Sequence, residues 1–473
     1  MSSSSPVTRR HLLQLFGAAP MLPLTTSCVG ATALLTACGS SSAAAAAYKD
    51  VSFSHMAAPT LANAADMATT QVGSTMSVNY VDGTKKDFAL AYQPFFTTGD
   101  LVPDGNGGTI LAGGYFDIYN QPIMDTTVAG SSRQFFSDSP DGTSLLSVAN
   151  AKVTGVKGNA VFAVVQFEYT TWAQDGTTGM YGKLPSPIAV LTLDQDTSTG
   201  KLSLVKYHNV DTSNVHGLWI TCGASLSPWG THLSSEEYEP NAFTASTDAQ
   251  FKAFSKNLYG SDTAANPYHY GHMPEVTVNA DGTGSIKKHY CLGRISHELV
   301  QVMPDNRTVL MGDDATNSGY FVFVADKEKD LSAGTLYVAK VGAGFSVDPA
   351  AATAAPLTWI KLGSATSAEI HRLASTLTPT QIMDVKTADP SDASYTKINA
   401  NGRTEWVKLV TGMEKAAAFL ETHRYASLLG ASMGFSKMEG TTVNIKNKVA
   451  YSALQNCVTS MVTGNALNTA GNG

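Results

Sequence analysis

The chain has 473 residues, 43% of them hydrophobic and only 15% charged, so it can bury a substantial core and disorder over most of its length is excluded. At roughly 150 residues per domain the length suggests about three domains, although one large all-β barrel or propeller can absorb as much. With 31 basic against 38 acidic residues, a net charge of -7 and no long basic stretch, counterion-driven binding to nucleic acid is excluded, and any anionic substrate needs a cation that the composition does not supply.

The first forty or so residues read as an address. Arg9-Arg10 stands directly before His11-Leu12-Leu13, and an apolar stretch from Phe16 to Leu24 follows, broken by Pro20 and Pro23. This is the pattern of a twin-arginine export signal. Leu35-Thr36-Ala37-Cys38-Gly39 has the form of a lipoprotein signal box, with Cys38 as the lipidated first residue of the mature chain. Ser40 to Ala47 reads as a Ser/Ala tether, flexible by composition. The expected organisation is a signal peptide over 1–38, a tether over 39–50 and one domain over 51–473. The expected location is outside the cytoplasm, periplasmic or at the cell surface, with a lipid anchor at Cys38, no spanning helix, and a monomer as the default state. Cys28 and Cys38 belong to the leader, leaving Cys222, Cys291 and Cys457; an odd number requires at least one thiol to be free, buried or ligating. Cys291 and Cys457 are read as packing thiols.

Past Ala47 the chain reads as strands meeting at tight turns. Val78 to Thr84 turns at Asp82-Gly83; Ile188 to Val205 turns between Asp194 and Gly200; Val276 to Tyr290 turns at Ala280 to Gly284; Lys397 to Leu409 turns at Asn401-Gly402, each a hairpin signal. Phe321 to Val324 and Leu336 to Val341 are further strands, separated by Asp326 to Gly334. No strict period relates the hairpins, which argues against a regular repeat array. Three helices are expected: Ala249 to Leu258 behind the caps Ser246-Thr247-Asp248, Ala368 to Leu377, and Glu414 to Leu429 with Gly430 as its C-terminal cap.

The sharpest chemistry lies between Leu218 and Glu237. A strand delivers Cys222 to a Gly-Ala-Ser turn, and Pro228-Trp229-Gly230 starts a second strand that ends in Glu236-Glu237. Thiolate and carboxylate can then converge at neighbouring strand ends. Adjacent strand residues point to opposite faces, so both glutamates reach one site only if the strand ends or bulges there.

This segment resembles the signature of the PhoX family of alkaline phosphatases, in which a Cys-containing turn is followed by Pro-Trp-Gly-Thr and a pair of glutamates. The resemblance continues in order through His272 to Val276, Gly293-Arg294-Ile295-Ser296-His297-Glu298, Met311-Gly312-Asp313-Asp314 with Gly319 to Val324, and Leu429 to Ser432 with Phe435 to Glu439. It covers the chain from roughly Val161 to the C-terminus. It implies an all-β dominated fold, a six-bladed β-propeller with inserted helices, and a cluster of iron and calcium ions as the active site. On that resemblance Cys222 is the iron ligand, and Glu168, Glu236, Glu237, Glu275, Glu298 and Glu439 are carboxylate ligands to iron or calcium, in keeping with thiolate for a transition metal and carboxylate for a hard cation. Cys222, Arg294, Lys437 and Glu439 form the expected catalytic set, with Lys437 where the family has a phosphate-binding arginine. Asp313 and Asp314 read as a turn or as ligands, and His232 and His297 as neighbours that orient ligands.

The implied activity is metal-dependent hydrolysis of small organic phosphate monoesters. The alternatives are a lipid-anchored calcium-binding propeller without catalysis, and a hydrolase of another ester or a phosphodiester. The anchor has its own check: Cys38→Ser is expected to release the exported protein from membranes, and a variant that stays membrane-bound would refute lipidation at Cys38.

Overall fold

The computed structural model describes residues 47–62, 65, 71–342, 344–346 and 352–461. The twin-arginine pair, Cys38 and the tether as far as residue 46 lie outside the described residues. The chain divides into two compact units, Met1–Thr97 and Thr98–Gly473, so the single domain expected over 51–473 takes in the second unit and the described strands of the first.

In the first unit β1 (Tyr48–Phe53), β2 (Gln71–Tyr80) and β3 (Lys85–Ala91) form an antiparallel sheet. The β2–β3 turn falls on Asp82-Gly83: the Asp82 carboxylate accepts from the backbone N and Oγ1 of Thr84 at 2.9 and 2.7 Å, and Gly83 takes a φ of 85° that only glycine adopts freely.

Among the described residues the second unit is a succession of antiparallel sheets, each made from strands close in sequence. Two short ladders, β4 (Leu101–Pro103) with β5 (Thr109–Leu111) and β6 (Met124–Asp125) with β7 (Arg133–Gln134), precede a four-stranded sheet of β8 (Pro140–Leu146), β9 (Asn159–Phe167), β10 (Ile188–Gln195) and β11 (Leu202–Asn209). A second four-stranded sheet contains β12 (Ser225–Leu226), β13 (His232–Leu233), β14 (Met273–Val278) and β15 (Gly284–His289). Five strands follow, β16 (His297–Val302), β17 (Thr308–Asp313), β18 (Phe321–Lys327), β19 (Asp330–Val341) and β20 (Leu357–Thr366). Then come β21 (Met383–Lys386), β22 (Thr396–Ala400) and β23 (Arg403–Leu409), and the hairpin of β24 (Met438–Asn444) and β25 (Val449–Leu454). Successive sheets touch: β12 packs against both β8 and β16, and β24 against β16 and β17.

The expected hairpins form where the turn residues put them. The separation between β18 and β19 is shorter than expected, because Glu328-Lys329 makes the turn, with Lys329 at a φ of 60°, and the strands extend into the polar residues on either side. Central strands such as β9 and β18 are apolar along most of their length because both faces are covered. Phe162, Val164, Val190 and Val276 pack the first two large sheets together, and Phe321, Phe323, Leu336 and Phe419 lie in the largest core cluster.

The helices are α1 (Ala249–Tyr259), α2 (Ser367–Thr376), α3 (Glu414–Leu420) and α4 (Thr422–Leu428), with a single turn at Pro379–Ile382. Asp248 caps α1 by accepting from the Phe251 N–H at 2.7 Å, and Gly260 ends it at a φ of 77°. The one helix expected over 414–429 is broken at Glu421, which leaves helical geometry at φ -121° and ψ 46°. The buried Glu421 carboxylate is held by Tyr268 Oη at 2.7 Å and Arg424 Nη1 at 2.6 Å, and these tertiary bonds override local helix propensity.

Phe419 is fully buried, and Gly363 on β20 leaves room for its ring: a Cβ there would stand 3.1 Å from Phe419 Cε2. Phe419→Ala is expected to cost about 3–5 kcal/mol in denaturant unfolding. A loss below about 1 kcal/mol would contradict this packing.

Candidate metal centre

Six carboxyl groups and a thiol meet where strand ends converge. Cys222, Glu237 and Glu298 each place a ligand atom within 4.8 Å of the others, as do Asp141, Glu168 and Cys222. The Cys222 thiol donates to Glu298 Oε1 at 3.2 Å. Glu168 and Glu237 share a hydrogen bond, and Glu439 shares one with Asp314. Asp314 is also ion-paired with Lys437 Nζ and accepts from Tyr238 Oη.

Strand pairing explains the convergence. The start of β8 pairs with the end of β9, Pro140 opposite Phe167, which sets Asp141 beside Glu168. The start of β16 pairs with the end of β17, His297 opposite Asp313, which sets Glu298 beside Asp314. Asp141, Glu298 and Glu439 each sit in a break of register, at Pro140/Thr143, His297/Val300 and Met438/Thr441. A bulge of this kind re-aims a side chain out of the strict alternation. Two glycines allow the close approach. A Cβ at Gly142 would lie 2.7 Å from Cys222 O, and one at Gly312 would lie 2.6 Å from Met438 O.

Burial and mutual repulsion favour the protonated forms of Glu168, Glu237, Glu298 and Glu439 when no cation is present. Burial pushes Glu168 up to about 7. Burial, with the Glu298 and Glu168 charges, pushes Glu237 up to about 11. Burial pushes Glu298 up to about 8, against the pull of the Cys222 hydrogen bond. The Cys222 thiol is raised by burial and then by Glu237 and Glu298, and Glu439 is raised by burial and Asp314.

Glu298 Oε2 and Asp314 Oδ1 are buried and receive no hydrogen-bond donor. Buried carboxylate oxygens without donors beside a thiol are the donor set that a transition metal and a hard cation together complete.

Of the expected site residues, the structure brings together Glu168, Cys222, Glu237, Glu298, Lys437 and Glu439. It does not bring Glu236 or Glu275 to them. Glu236, past the end of β13, is fully buried and turned inward, where Trp219 N, Gly271 N and His272 N donate at 3.0 Å each and Lys288 Nζ lies at 2.9 Å. All of its acceptor directions are used inside the protein. Glu275 is held by His289 at 2.7 Å, Thr231 Oγ1 at 2.6 Å, Trp229 Nε1 at 2.9 Å and Lys287 at 3.0 Å; burial opposes its charge, but these donors hold its carboxyl well below the usual range. Arg294 gives its guanidinium to the carbonyls of Tyr270, Leu420 and Pro240, so it pins loops together.

The neighbours support the cluster. His232 lies 2.8 Å from Ser144 Oγ and 3.0 Å from Gln166 Oε1, and Gln166 donates to Cys222 O. Burial lowers His232 to about 3, so it acts as a neutral strut. His423 bridges Asp313 at 2.7 Å and Glu239 at 3.1 Å. Burial opposes its charge, yet the two carboxylates raise it to about 10. His297 is buried, its Nε2 3.0 Å from Gly293 O. Cys291 packs against Leu331 O and Ser367 Oγ, both at 3.2 Å, whereas Cys457 is exposed rather than packed.

Sequence reasoning missed Asp141, Tyr181 and Tyr238. Pro140-Asp141-Gly142 reads as an ordinary turn, and the two tyrosines carry no motif. Tyr181 is raised by burial and by Glu237, Glu168 and Cys222, which places it in the same field.

The second unit is thus a mostly β scaffold carrying a thiol–carboxyl cluster whose side chains could hold metal ions. Residues 197–473 match the family described as Alkaline phosphatase PhoX. The chain belongs to that family of metal-dependent phosphatases. Asp141 and Glu168 precede the matched segment. Among solved structures, Pseudomonas fluorescens PhoX in complex with vanadate, a transition state analogue, aligns at 18% identity and a TM-score of 0.43, covering 80% of this chain and 70% of that one. The curated proteins contain no match.

The raised acids give a testable sign. A carboxyl at 4.5 when unfolded and at about 7 (Glu168) or 8 (Glu298) when folded favours the native state below 4.5, and that contribution is lost as pH rises through the folded values. Metal-stripped protein should therefore show a falling unfolding midpoint from pH 5 to 8, and metal-loaded protein a much flatter profile. Identical profiles in calorimetry would refute the cluster as the metal centre.

Proposed function

We propose that the Cys222 cluster is the catalytic centre of a phosphate monoester hydrolase, with iron on Cys222 and neighbouring carboxylates and calcium on the other carboxylates. The observation that carries this reading is the pair of buried, donor-free oxygens, Glu298 Oε2 and Asp314 Oδ1, beside the Cys222 thiol. Cations held by these side chains would supply charge to offset that of the substrate and to position an oxygen nucleophile for in-line attack at phosphorus.

The chain's own residues supply the rest. Cys222 ligates as a thiolate, and its thiol already points at Glu298 Oε1, a route for the proton it loses. Asp314 pairs with Lys437; were Asp314 to hold a cation, the half-buried lysine would be released to meet a substrate oxygen. Tyr238 Oη lies 2.5 Å from Lys437 Nζ and adds a hydroxyl to that grip. Lysine is a point charge where a guanidinium would make a planar two-pronged contact, so orientation falls more heavily on Tyr238 and the metals.

The sequence-local sheets that touch in succession support a propeller, for which six blades is the arrangement we favour. Among the described residues no helix is long and apolar enough to cross a membrane. The Arg9-Arg10 and Cys38 motifs support export by the twin-arginine route, anchoring by lipid and action on extracytoplasmic esters; a monomer is our default reading.

Hydrolysis of p-nitrophenyl phosphate tests the reading. Cys222→Ala should lower kcat by more than about 100-fold with loss of bound iron. Lys437→Ala should raise KM more than it lowers kcat. Undiminished turnover in Cys222→Ala would refute the assignment; calcium without iron and no ester hydrolysis in the native chain would favour the non-catalytic calcium-binding propeller.

A further inference from the structure

Three histidines from distant parts of the chain meet at a place that shares no residue with the Cys222 cluster. His216 caps the 3₁₀ turn Ser213–Val215 at a φ of 67°. His269 closes the 3₁₀ turn Pro267–His269, and His371 lies in α2. One ring nitrogen of each lies within 4.8 Å of the other two. His216 Nε2 and His371 Nε2 are 3.2 Å apart, and the His216 ring stacks on His269 with centroids at 3.8 Å and planes 9° apart.

Several features distinguish this trio from a chance gathering. A tetrahedral ion with metal–nitrogen bonds of about 2.0–2.1 Å separates its ligand atoms by about 3.3 Å, close to the distance between the two Nε2 atoms. His269 has an outer partner, Tyr290 Oη at 3.0 Å from Nδ1, of the kind that fixes a ligand's tautomer and leaves the other nitrogen for metal. Burial, then Lys288 and His371, bring His216 down to about 4, and burial, then His216 and Lys288, bring His269 down to about 2, which favours the neutral form that ligates. Lys288 opposes a cation as it opposes an imidazolium. Its ammonium is nevertheless engaged by Glu236 at 2.9 Å and by the carbonyls of Gly217 and His269 at 3.1 and 2.9 Å.

We propose that His216, His269 and His371 form a second metal site, for a late first-row divalent cation such as zinc, independent of the centre at Cys222. Imidazole nitrogens suit such ions and have little affinity for calcium, so the two sites divide cations by ligand chemistry. In the stacked pose the lone pairs of His216 and His269 run nearly parallel, so a common ion requires one of these rings to turn. Three protein nitrogens leave a fourth position for water or a small anion. The ion would tie α2 to the 3₁₀ turn at His269, segments that already meet where Asn266 Nδ2 donates to Ala374 O at 2.8 Å.

The test is zinc stoichiometry of the full-length protein, stripped by chelator and reloaded by dialysis, in wild type, Cys222→Ala, His371→Ala and His216→Asn. His371 is partly exposed on a surface helix, and asparagine tolerates the left-handed backbone at 216, so both histidine variants should keep the wild-type circular dichroism. The expected result is one equivalent of zinc lost in each histidine variant and retained in Cys222→Ala. Cobalt loaded into Cys222→Ala should give visible bands of a tetrahedral nitrogen site, and these should vanish in Cys222→Ala/His371→Ala. Equal zinc content in wild type and both histidine variants, or cobalt bands that survive in the double variant, would overturn the proposal.

Discussion

Buried negative charge without matching positive charge is the constraint around which the second unit is arranged. Six carboxyls and a thiol share one confined place with a single lysine among the charged residues identified there. In low dielectric such groups either take up protons or bind cations. Three bulged strands hold them in place against their repulsion, and on the proposed reading cations would convert the repulsion into coordination. The same charge that would exclude a phosphate ester would thus become the means of binding one.

At or just past the ends of β13 and β17 the chain sends neighbours in sequence to opposite tasks. Glu237 and Tyr238 face the cluster, while Glu236 and Glu239 face the interior, the first with Lys288 and three backbone N–H groups, the second with His423. Asp314 faces the cluster and Asp313 binds His423 and Ser318. Glu237 and Asp314 therefore each have a neighbour whose own charge is neutralised inside the protein. Those inward pairs hold the backbone where the outward groups repel one another. Glu236, by way of Lys288, also reaches the turn that carries His269, so one buried ion pair underlies both proposed metal sites.

Much of this was legible in the sequence. The hairpins at Asp82-Gly83, Asp194 to Gly200, Ala280 to Gly284 and Asn401-Gly402 declare themselves because turn chemistry is local. Cys222, Glu237, Glu298 and Glu439 stand out because they sit in ordered motifs, and the alternation rule already said that Glu236 and Glu237 share one site only with local distortion. What stayed hidden depends on contacts distant in sequence. Asp141 looks like a turn residue until β8 is paired with β9. Glu275 looks like a ligand until His289, Thr231 and Trp229 are seen around it. The helix break at Glu421 answers to Tyr268, more than 150 residues away in sequence, and the histidine trio has no motif at all.

The central claim is that Cys222 and the carboxylates around it are one metal centre. Anomalous diffraction at the iron edge, on crystals of the protein purified after export, tests it most directly. The account predicts an iron peak within bonding distance of Cys222 Sγ, with further cation density contacting Glu298 and Asp314. An active enzyme whose crystals show no metal at Cys222 would contradict it.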